Sequence, residues 1–423
     1  MKRHRLLICL GLLLVVMTLA VGISAKTQLT LWTHLGQHPK LNRWYEDRGR
    51  EFAELHPEIS GVDVVVIPYE GYEARYLSAF MGRVGAPDIF VGMAHDWAGT
   101  YQFADPTPTH FASMVDDKVS DDLRLLGMWD GVRYGVPIGG SNFMMLYINA
   151  DMFREAGLDP DKPIETLDQL VDAAKKLTKY DKSGKVTRAG FAIRYSGHQV
   201  GITEKYLPFA HTFGARMVSP DWTKGSGYTN SPQAVKALEF FVDLVYTHKV
   251  SSLEVGVPET AFAQGLAAMI FRESWLVGWL RDNAPHIKYR TWALPYQDIK
   301  VGSGAIFAWA DMVYRDSPNK DWAWKYLEYI WTQADDLGKY EIQGLPPVWQ
   351  DNLESDYMKG RPDYAATIEM VQSREPAPTY FHEKTNEVVI AYGDAILEAV
   401  FGHKTPQQAL DDAAIRIDRI LQD

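Results

Sequence analysis

The chain alternates between short apolar runs and longer segments in which apolar residues recur at helical spacing. The apolar runs are rich in β-branched residues and predict strands at residues 29–32, 62–67, 88–91, 190–193 and 268–271. Strands that alternate with helices in this way predict an α/β fold with largely parallel sheets.

Three of the predicted helices have clear starting signals. Thr166 and Gln169 have the spacing of a capping box, and the apolar residues that follow recur on one helical face. Ser231 and Thr405 each precede a proline, an arrangement that places a capping hydroxyl before proline at the first helical position.

The first 25 residues have the features of a secretory leader. Residues 2–5 are basic, residues 6–25 are uncharged, and small side chains precede an expected cleavage site after Ala25. We expect a periplasmic or extracellular mature protein. An uncleaved anchor is the alternative, since about 20 uncharged residues can span a bilayer. Cys9 follows bulky Ile8 and lies close to the basic start, so we do not expect a lipoprotein.

Composition narrows the function classes. The net charge is −11, and loss of the leader, which carries three basic residues and no acidic ones, makes it about −14. This acidic balance disfavours nucleic acid and anionic lipid as partners. Cys9 is the single cysteine, so the mature protein has no disulfide and no cysteine-metal site. The roughly 400 residues that remain predict two domains. The 13 Trp, 22 Tyr and 17 Phe suggest a ligand that stacks on aromatic rings.

A series of short motifs runs in order from residue 29 to residue 410. They are Gly-Ala-Pro-Asp-Ile at 85–89, Trp-Asp-Gly-Val-Arg-Tyr-Gly-Val-Pro at 129–137, Leu-Tyr-Ile-Asn-Ala-Asp at 146–151, Phe-Ala-Gln-Gly-Leu-Ala-Ala-Met at 262–269, Ser-Pro-Asn-Lys at 317–320 and the closing segment 398–410. In these motifs the chain resembles the family of maltose-type solute-binding proteins, the sugar-binding receptors of ABC importers.

The resemblance implies a two-lobe periplasmic-binding-protein fold of type II, with a ligand cleft between two α/β lobes. We expect an N-terminal lobe at residues 26–138 and 305–345 and a C-terminal lobe at residues 142–301 and 348–423. The chain would cross between the lobes at 139–141, 302–304 and 344–347. Glycines at the first two crossings can absorb backbone rotation during closure, although ordinary strand-end turns are the alternative.

The loop after the strand at 88–91 supplies the first candidate ligand contacts, His95, Asp96 and Trp97. The family's matching loop holds an Ala-His-Asp run whose carboxylate binds sugar hydroxyls, which implies the same role for Asp96. A helix N-cap is its alternative role. Met93 replaces the family's stacking tryptophan, so we expect stacking to move to Trp97.

Further candidates follow other strands and crossings. The resemblance implies that Trp275 is a stacking ring of the second lobe, with core packing as the alternative. His34 and Gln37 follow the first strand, Asn142 lies at the first crossing, and Tyr195 and Trp309 are rings that belong either to the site or to the core.

These features predict a binding protein rather than an enzyme. We find no complete motif for a nucleophile elbow, a zinc protease, a phosphate loop or a dinucleotide fold. We therefore expect a monomer that captures a sugar and delivers it to membrane permease subunits, with no catalytic residues, cofactor or metal. A secreted glycoside hydrolase is the alternative from another class, because paired carboxylates are compatible with so acidic a chain. The same fold with a non-sugar solute is a second alternative.

Overall fold

The computed structural model describes residues 26–422, apart from 37–38, 120, 139–143, 303–308, 365, 367–368, 370–373, 375–376, 379 and 381. The predictions for the leader, Gln37, Asn142 and the crossing at 139–141 lie outside the described residues, as do residues 303–304 of the predicted crossing at 302–304. The strands are β1 (Thr27–Thr33), β2 (Ile59–Val66), β3 (Ile89–Gly92), β4 (Met128–Trp129), β5 (Val132–Arg133), β6 (Gly135–Pro137), β7 (Met144–Asn149), β8 (Lys179–Tyr180), β9 (Val186–Arg188), β10 (Met269–Glu273), β11 (Tyr289–Trp292) and β12 (Ala310–Val313).

Helices fill most of the chain between these strands. They are α1 (Pro39–Leu55), α2 (Tyr72–Gly82), α3 (Thr109–Lys118), α4 (Asp121–Arg124), α5 (Ala150–Glu155), α6 (Leu167–Leu177), α7 (Gln199–Thr212), α8 (Pro232–Tyr246), α9 (Pro258–Ala263), α10 (Leu276–Asn283), α11 (Lys320–Ile330), α12 (Gln333–Gln343), α13 (Gln350–Leu353), α14 (Asp356–Lys359), α15 (Thr385–Val400) and α16 (Pro406–Gln422). A π-helix spans His95–Thr100, and a 3-10 turn spans Pro362–Tyr364.

The first lobe is built on a five-stranded sheet in the order β2-β1-β3-β12-β6. β1 pairs in parallel with both β2 and β3, while β12 is antiparallel to β3 and to β6. The expectation of largely parallel sheets is therefore only partly right here. β12 arrives from more than 200 residues away in the chain rather than through a strand-helix-strand crossover, so nothing requires it to be parallel.

The second lobe is built on a sheet in the order β10-β7-β11, and both of its strand pairs are antiparallel. The expectation of parallel pairing is wrong for these pairs. The predicted strand at 190–193 is also wrong, because this segment pairs only at isolated bridges, Ala189 with Ala267 and Ala192 with Ile270. The intervening N–H group of Phe191 donates instead to the carbonyl of Val250, at 3.2 Å.

The predicted helix starts are confirmed. The Thr166 hydroxyl accepts a hydrogen bond from the Gln169 N–H group, and the Gln169 side chain accepts one from the Thr166 N–H group, which completes the capping box of α6. The hydroxyls of Ser231 and Thr405 accept hydrogen bonds at the starts of α8 and α16.

Each sheet has its own hydrophobic core. In the first lobe, one core joins β1 and β3 to α1 and α11, and a second, aromatic core lies on the other face of the sheet around α2. In the second lobe, the cores join β7 and β10 to α6, α7 and α8 and also include α10 and α15. The molecule therefore has two α/β lobes, while the residue boundaries stated above stay a prediction.

The end of α12 lies between the two lobes. On the first-lobe side, the Asp336 carboxylate accepts hydrogen bonds from the N–H groups of Val348 and Trp349, at 3.0 and 3.2 Å. On the second-lobe side, the Arg281 guanidinium of α10 donates to the carbonyls of Glu341 and Ile342, at 2.6 and 2.8 Å. The predicted crossing at 344–347 thus lies directly beside groups that are held by different lobes.

Candidate functional site

Trp309 lies where the two lobes meet. Its ring is partly buried and packs against both first-lobe cores and against the main core of the second lobe. Met93, one residue beyond β3, also packs with the second-lobe core. These contacts place the ends of β1 and β3, and the loops that follow them, against the second lobe.

An aromatic cluster surrounds His34 at the end of β1. The His34 ring stacks on Tyr72 with the centroids 4.3 Å apart and meets Trp309 edge-on at 4.1 Å. Tyr69 lies 5.8 Å from both His34 and Tyr72. Across the cleft, the His198 ring of the second lobe lies 6.3 Å from Tyr69. Rings from both lobes therefore form one wall suited to the C–H faces of a flat, polar ligand.

His34 itself has an unusual environment. It is 2 % exposed, and neither ring nitrogen has a hydrogen-bond partner among the described residues. Burial lowers the pKa of His34 to about 3, so the ring is neutral at pH 7 and has one donor and one acceptor nitrogen. A buried polar group without a partner is costly to a fold, which is consistent with a role toward a ligand.

Asp96, in the segment after β3, is also a buried polar residue with an atom that lacks a hydrogen-bond partner in the described part of the chain. It lies in the first turn of the π-helix after β3, is 4 % exposed, and its Oδ2 atom has no partner among the described residues. Its Oδ1 atom is 3.4 Å from His95 Nε2. Burial raises the pKa of Asp96 to about 7 and lowers that of His95 to about 4. Asp96 does not cap the helix, because Ala94 occupies the N-cap position.

Trp97 does not contribute a stacking face, and we correct that expectation. The ring is 0 % exposed and is surrounded by Tyr76, Phe80, Phe90 and Tyr101 at centroid distances of 5.1 to 5.6 Å. The π-helix turns the Trp97 side chain into the first-lobe core.

Two hydrogen bonds join the lobes beside Asp96. The Asn386 amide of α15 donates to the Glu73 carboxylate of α2, at 3.2 Å to Oε1, and Tyr72 donates to the same oxygen at 3.2 Å. The Thr100 hydroxyl donates to the carbonyl of Glu383, at 3.1 Å. Burial raises the pKa of Glu73, and the nearby Asp96 raises it further. The two first-lobe carboxylates are therefore close enough to repel each other.

The second-lobe wall carries a buried network of charges. Lys205 of α7 pairs with Glu273 at the end of β10 and, at 2.5 Å, with Glu204. Arg272 pairs with Glu273 at 3.1 Å and with Glu259 at 3.4 Å. Burial opposes ionisation of Glu273, but Arg272 and Lys205 outweigh it and lower its pKa to about 2. This network is internally compensated.

Trp275 lies at the edge of the charge network. It follows β10, its ring is partly buried against the second-lobe core, and the Arg272 guanidinium lies 5.1 Å from the ring centroid. The ring position is therefore fixed by a cation that is itself held by carboxylates. Tyr195, the other predicted second-lobe ring, is partly buried, and its hydroxyl accepts a hydrogen bond from the Gly256 N–H group at 3.2 Å.

The structure adds residues that the sequence analysis did not select. Three of them come shortly after β2, namely Tyr69, Tyr72 and Glu73. In the same way, the first-lobe candidates His34 and Asp96 come shortly after β1 and β3. Their position after a parallel strand is the signal that could have identified them. Arg194 and His198 follow the 190–193 segment, and Arg194 reaches Tyr69 electrostatically, where it opposes the rise in the pKa of Tyr69 caused by burial and by Glu204.

The described residues contain no cluster of three or more His, Cys, Asp or Glu side chains arranged to hold a metal ion. Among the same residues, no helix is both long enough and apolar enough to cross a membrane. The site consists of aromatic rings, buried carboxylates and a compensated charge network, all lying between two α/β lobes. This is the architecture of a two-lobe binding protein.

Comparison with known proteins identifies the family. The family model for bacterial extracellular solute-binding proteins matches residues 38–360, and the chain belongs to this family. A binding protein of Brucella abortus is 24% identical over 426 residues, covering 97% of this chain and 98% of the relative. The arabinooligosaccharide-binding protein of Halalkalibacterium halodurans is 23% identical over 432 residues, covering 95% of this chain and 91% of the relative.

A solved structure shares the fold. The ABC transporter solute-binding protein of Thermotoga lettingae, bound with alpha-D-tagatose, superposes with a TM-score of 0.81 at 23% identity, covering 94% of this chain and 100% of that chain. The two-lobe fold expected from the sequence is thereby confirmed, and the chain is a solute-binding protein of the ABC-transport class.

Proposed function

We propose that the protein captures a sugar, an oligosaccharide or a glycoside, in the cleft between its lobes and delivers it unchanged to membrane permease subunits. The observation that carries this proposal is the ring wall of His34, Tyr69, Tyr72 and Trp309 beside unpartnered polar atoms of His34 and Asp96. Rings accommodate the C–H faces of a sugar, and the polar atoms suit its hydroxyls. The sugar-binding relatives support this choice of ligand.

Closure of the lobes gives the binding its selectivity. A ligand favours the closed form only through contacts that it makes with both lobes at once. We assign the first-lobe contacts to His34, His95, Asp96 and Trp309. Trp275 supplies a second-lobe contact, and Tyr195 borders the same wall. Gln37 and Asn142 remain proposed contacts by their positions in the sequence alone.

The cellular setting is part of the proposal. Residues 1–25 act as a cleaved secretory leader, and the mature monomer works outside the cytoplasmic membrane. The match to an extracellular family supports export. The acidic net charge of −11 keeps such a protein soluble and away from anionic lipid.

A thermal-shift screen of the mature protein against a sugar panel, with product analysis of each hit, tests the proposal. A sugar that raises the melting temperature and is recovered unchanged supports a receptor. A cleaved product would instead indicate a glycoside hydrolase, and a response only to non-sugar solutes would indicate a different ligand class.

Paired tryptophan variants test the site. Trp275→Ala should abolish the sugar-induced shift and leave the unliganded melt nearly unchanged. Trp322→Ala is the matched control, because Trp322 also packs under a cation, with Lys325 at 4.4 Å, but lies on the outer helix α11. If Trp322→Ala reduces the shift equally, or if Trp275→Ala unfolds the protein, the assignment of Trp275 is wrong.

A further inference from the structure

The charges of the two walls are not balanced in the same way. On the first-lobe wall, neither Glu73 nor Asp96 forms an ion pair with lysine or arginine among the described residues. The adjacent histidines do not compensate them, because burial lowers the pKa of His34 to about 3 and that of His95 to about 4. Burial raises the pKa of Glu73 and raises that of Asp96 to about 7, so a cation that reached this wall would favour the ionised forms of both carboxyls.

The second-lobe wall has no surplus of positive or negative charge. Lys205 and Arg272 form ion pairs with the carboxylates of Glu204, Glu259 and Glu273. Arg194 lies within electrostatic reach of the same three carboxylates. A ligand cation would meet no net positive charge on this wall and would gain the two first-lobe carboxylates as partners. The electrostatic field of the cleft thus favours a neutral or positively charged ligand, and a cation most of all.

The neighbouring groups indicate what else the ligand carries. The unpartnered donor and acceptor nitrogens of His34, which is 2 % exposed, suit a hydroxyl group. The faces of Tyr69, which is exposed, and of Trp309, which is partly buried, suit ring C–H groups and an adjacent cation. A bare metal ion fits poorly, because the described residues hold no metal-type cluster. An ammonium group on a hydroxylated ring matches all three features.

We propose that the cleft prefers a saccharide that carries a protonated amine, an amino sugar, over the neutral saccharide of the same shape. The ammonium lies between Glu73 and Asp96, and the hydroxyls of the same ring reach His34. This inference rests on the proposed function and specifies its ligand class.

Calorimetric titration of the mature protein at pH 7 tests the inference with matched pairs. The pairs are glucosamine against glucose, galactosamine against galactose, and the β-1,4 glucosamine trimer against cellotriose. N-acetylated forms, which keep the nitrogen but lose its charge, complete each set. We expect the amine of at least one set to bind about tenfold more tightly than its neutral and acetylated partners, because charge-assisted hydrogen bonds are the stronger ones.

Variants locate the source of the preference. The double variant Glu73→Gln with Asp96→Asn should bind the amine and the neutral sugar within about twofold of each other. Glu70→Gln is the control, because Glu70 is an exposed carboxylate just before α2 and its loss should leave the preference intact.

The outcomes separate the two claims. Neutral sugars that bind as tightly as their amines overturn the amino-sugar inference and support the proposed function. Binding of spermidine without binding of any saccharide overturns both, as does a complete lack of binding across the panel. A preference that survives the double variant also overturns the inference, because the charge would then come from elsewhere.

Discussion

Asp96→Asn should stabilise the protein at pH 8. Asp96 is buried without a full set of partners, and burial raises its pKa from the usual 3.8 to about 7. That difference corresponds to about 4 kcal/mol of free energy by which the folded protein disfavours the ionised carboxylate. An asparagine avoids this cost but brings an amide with unmet hydrogen bonds, which costs about 1–3 kcal/mol. We expect a net gain of about 2 kcal/mol in the free energy of unfolding.

The pH dependence of this gain has a definite sign. The folded-state pKa of Asp96 lies above the unfolded-state value, so the folded protein binds the proton more tightly. The destabilising effect of the carboxylate is therefore absent below about pH 4, grows as the pH rises toward 7 and is complete above it. Near pH 4, where the carboxylate penalty is absent, the variant should be less stable than the natural chain by the cost of the unmet amide, about 1–3 kcal/mol.

Urea unfolding followed by tryptophan fluorescence at pH 4 and pH 8 measures both values. Asp88→Asn is the control, since Asp88 is 5 % exposed at the other end of β3 but accepts hydrogen bonds from Thr30, Ser317 and Asn319. We expect it to lose about 1–3 kcal/mol at pH 8. If Asp96→Asn is destabilised like this control, the Asp96 carboxylate supports the fold and our reasoning about the site is refuted.

Three further substitutions test other parts of the structure. Asn386→Ala removes the amide that reaches Glu73 across the cleft and should weaken ligand binding about fivefold by calorimetry, whereas an unchanged affinity would mean that this contact does not favour closure. Gly344→Ala places a side chain on a residue with φ 73°, where backbone strain should lower the free energy of unfolding in urea by about 2 kcal/mol. Gly82→Ala is the control, because Gly82 faces open space and its replacement should cost nothing; equal effects would argue against backbone strain at Gly344. Thr166→Ala should cost about 1 kcal/mol by the same assay, and no loss would show that the capping box is dispensable.

Local features of the fold could be predicted from the sequence because they depend on neighbouring residues. The capping box of α6 and four of the five strands predicted from β-branched runs needed only short-range chemistry, and they are present as expected. Strand direction could not be predicted in the same way. β12 and β10 reach their sheets from distant parts of the chain, so their orientation depends on long-range packing.

The candidate site was predictable to the extent that loops after strands collect polar side chains. His34 and Asp96 follow this rule and lie in the ring wall and beside it. The prediction for Trp97 failed, because the π-helix changes the direction of successive side chains and turns the Trp97 ring into the core. The charge network of Lys205 and Glu273 was also invisible, since it joins a helix to a strand 68 residues away.

The double attachment of α12 constrains the segment 344–347, where we expect the chain to cross between the lobes. Asp336 binds the N–H group of Val348 after this segment, and Arg281 binds the carbonyl of Glu341 before it. The segment between them is therefore held at both ends by hydrogen bonds. We therefore expect that loosening either attachment would make movement between the lobes easier.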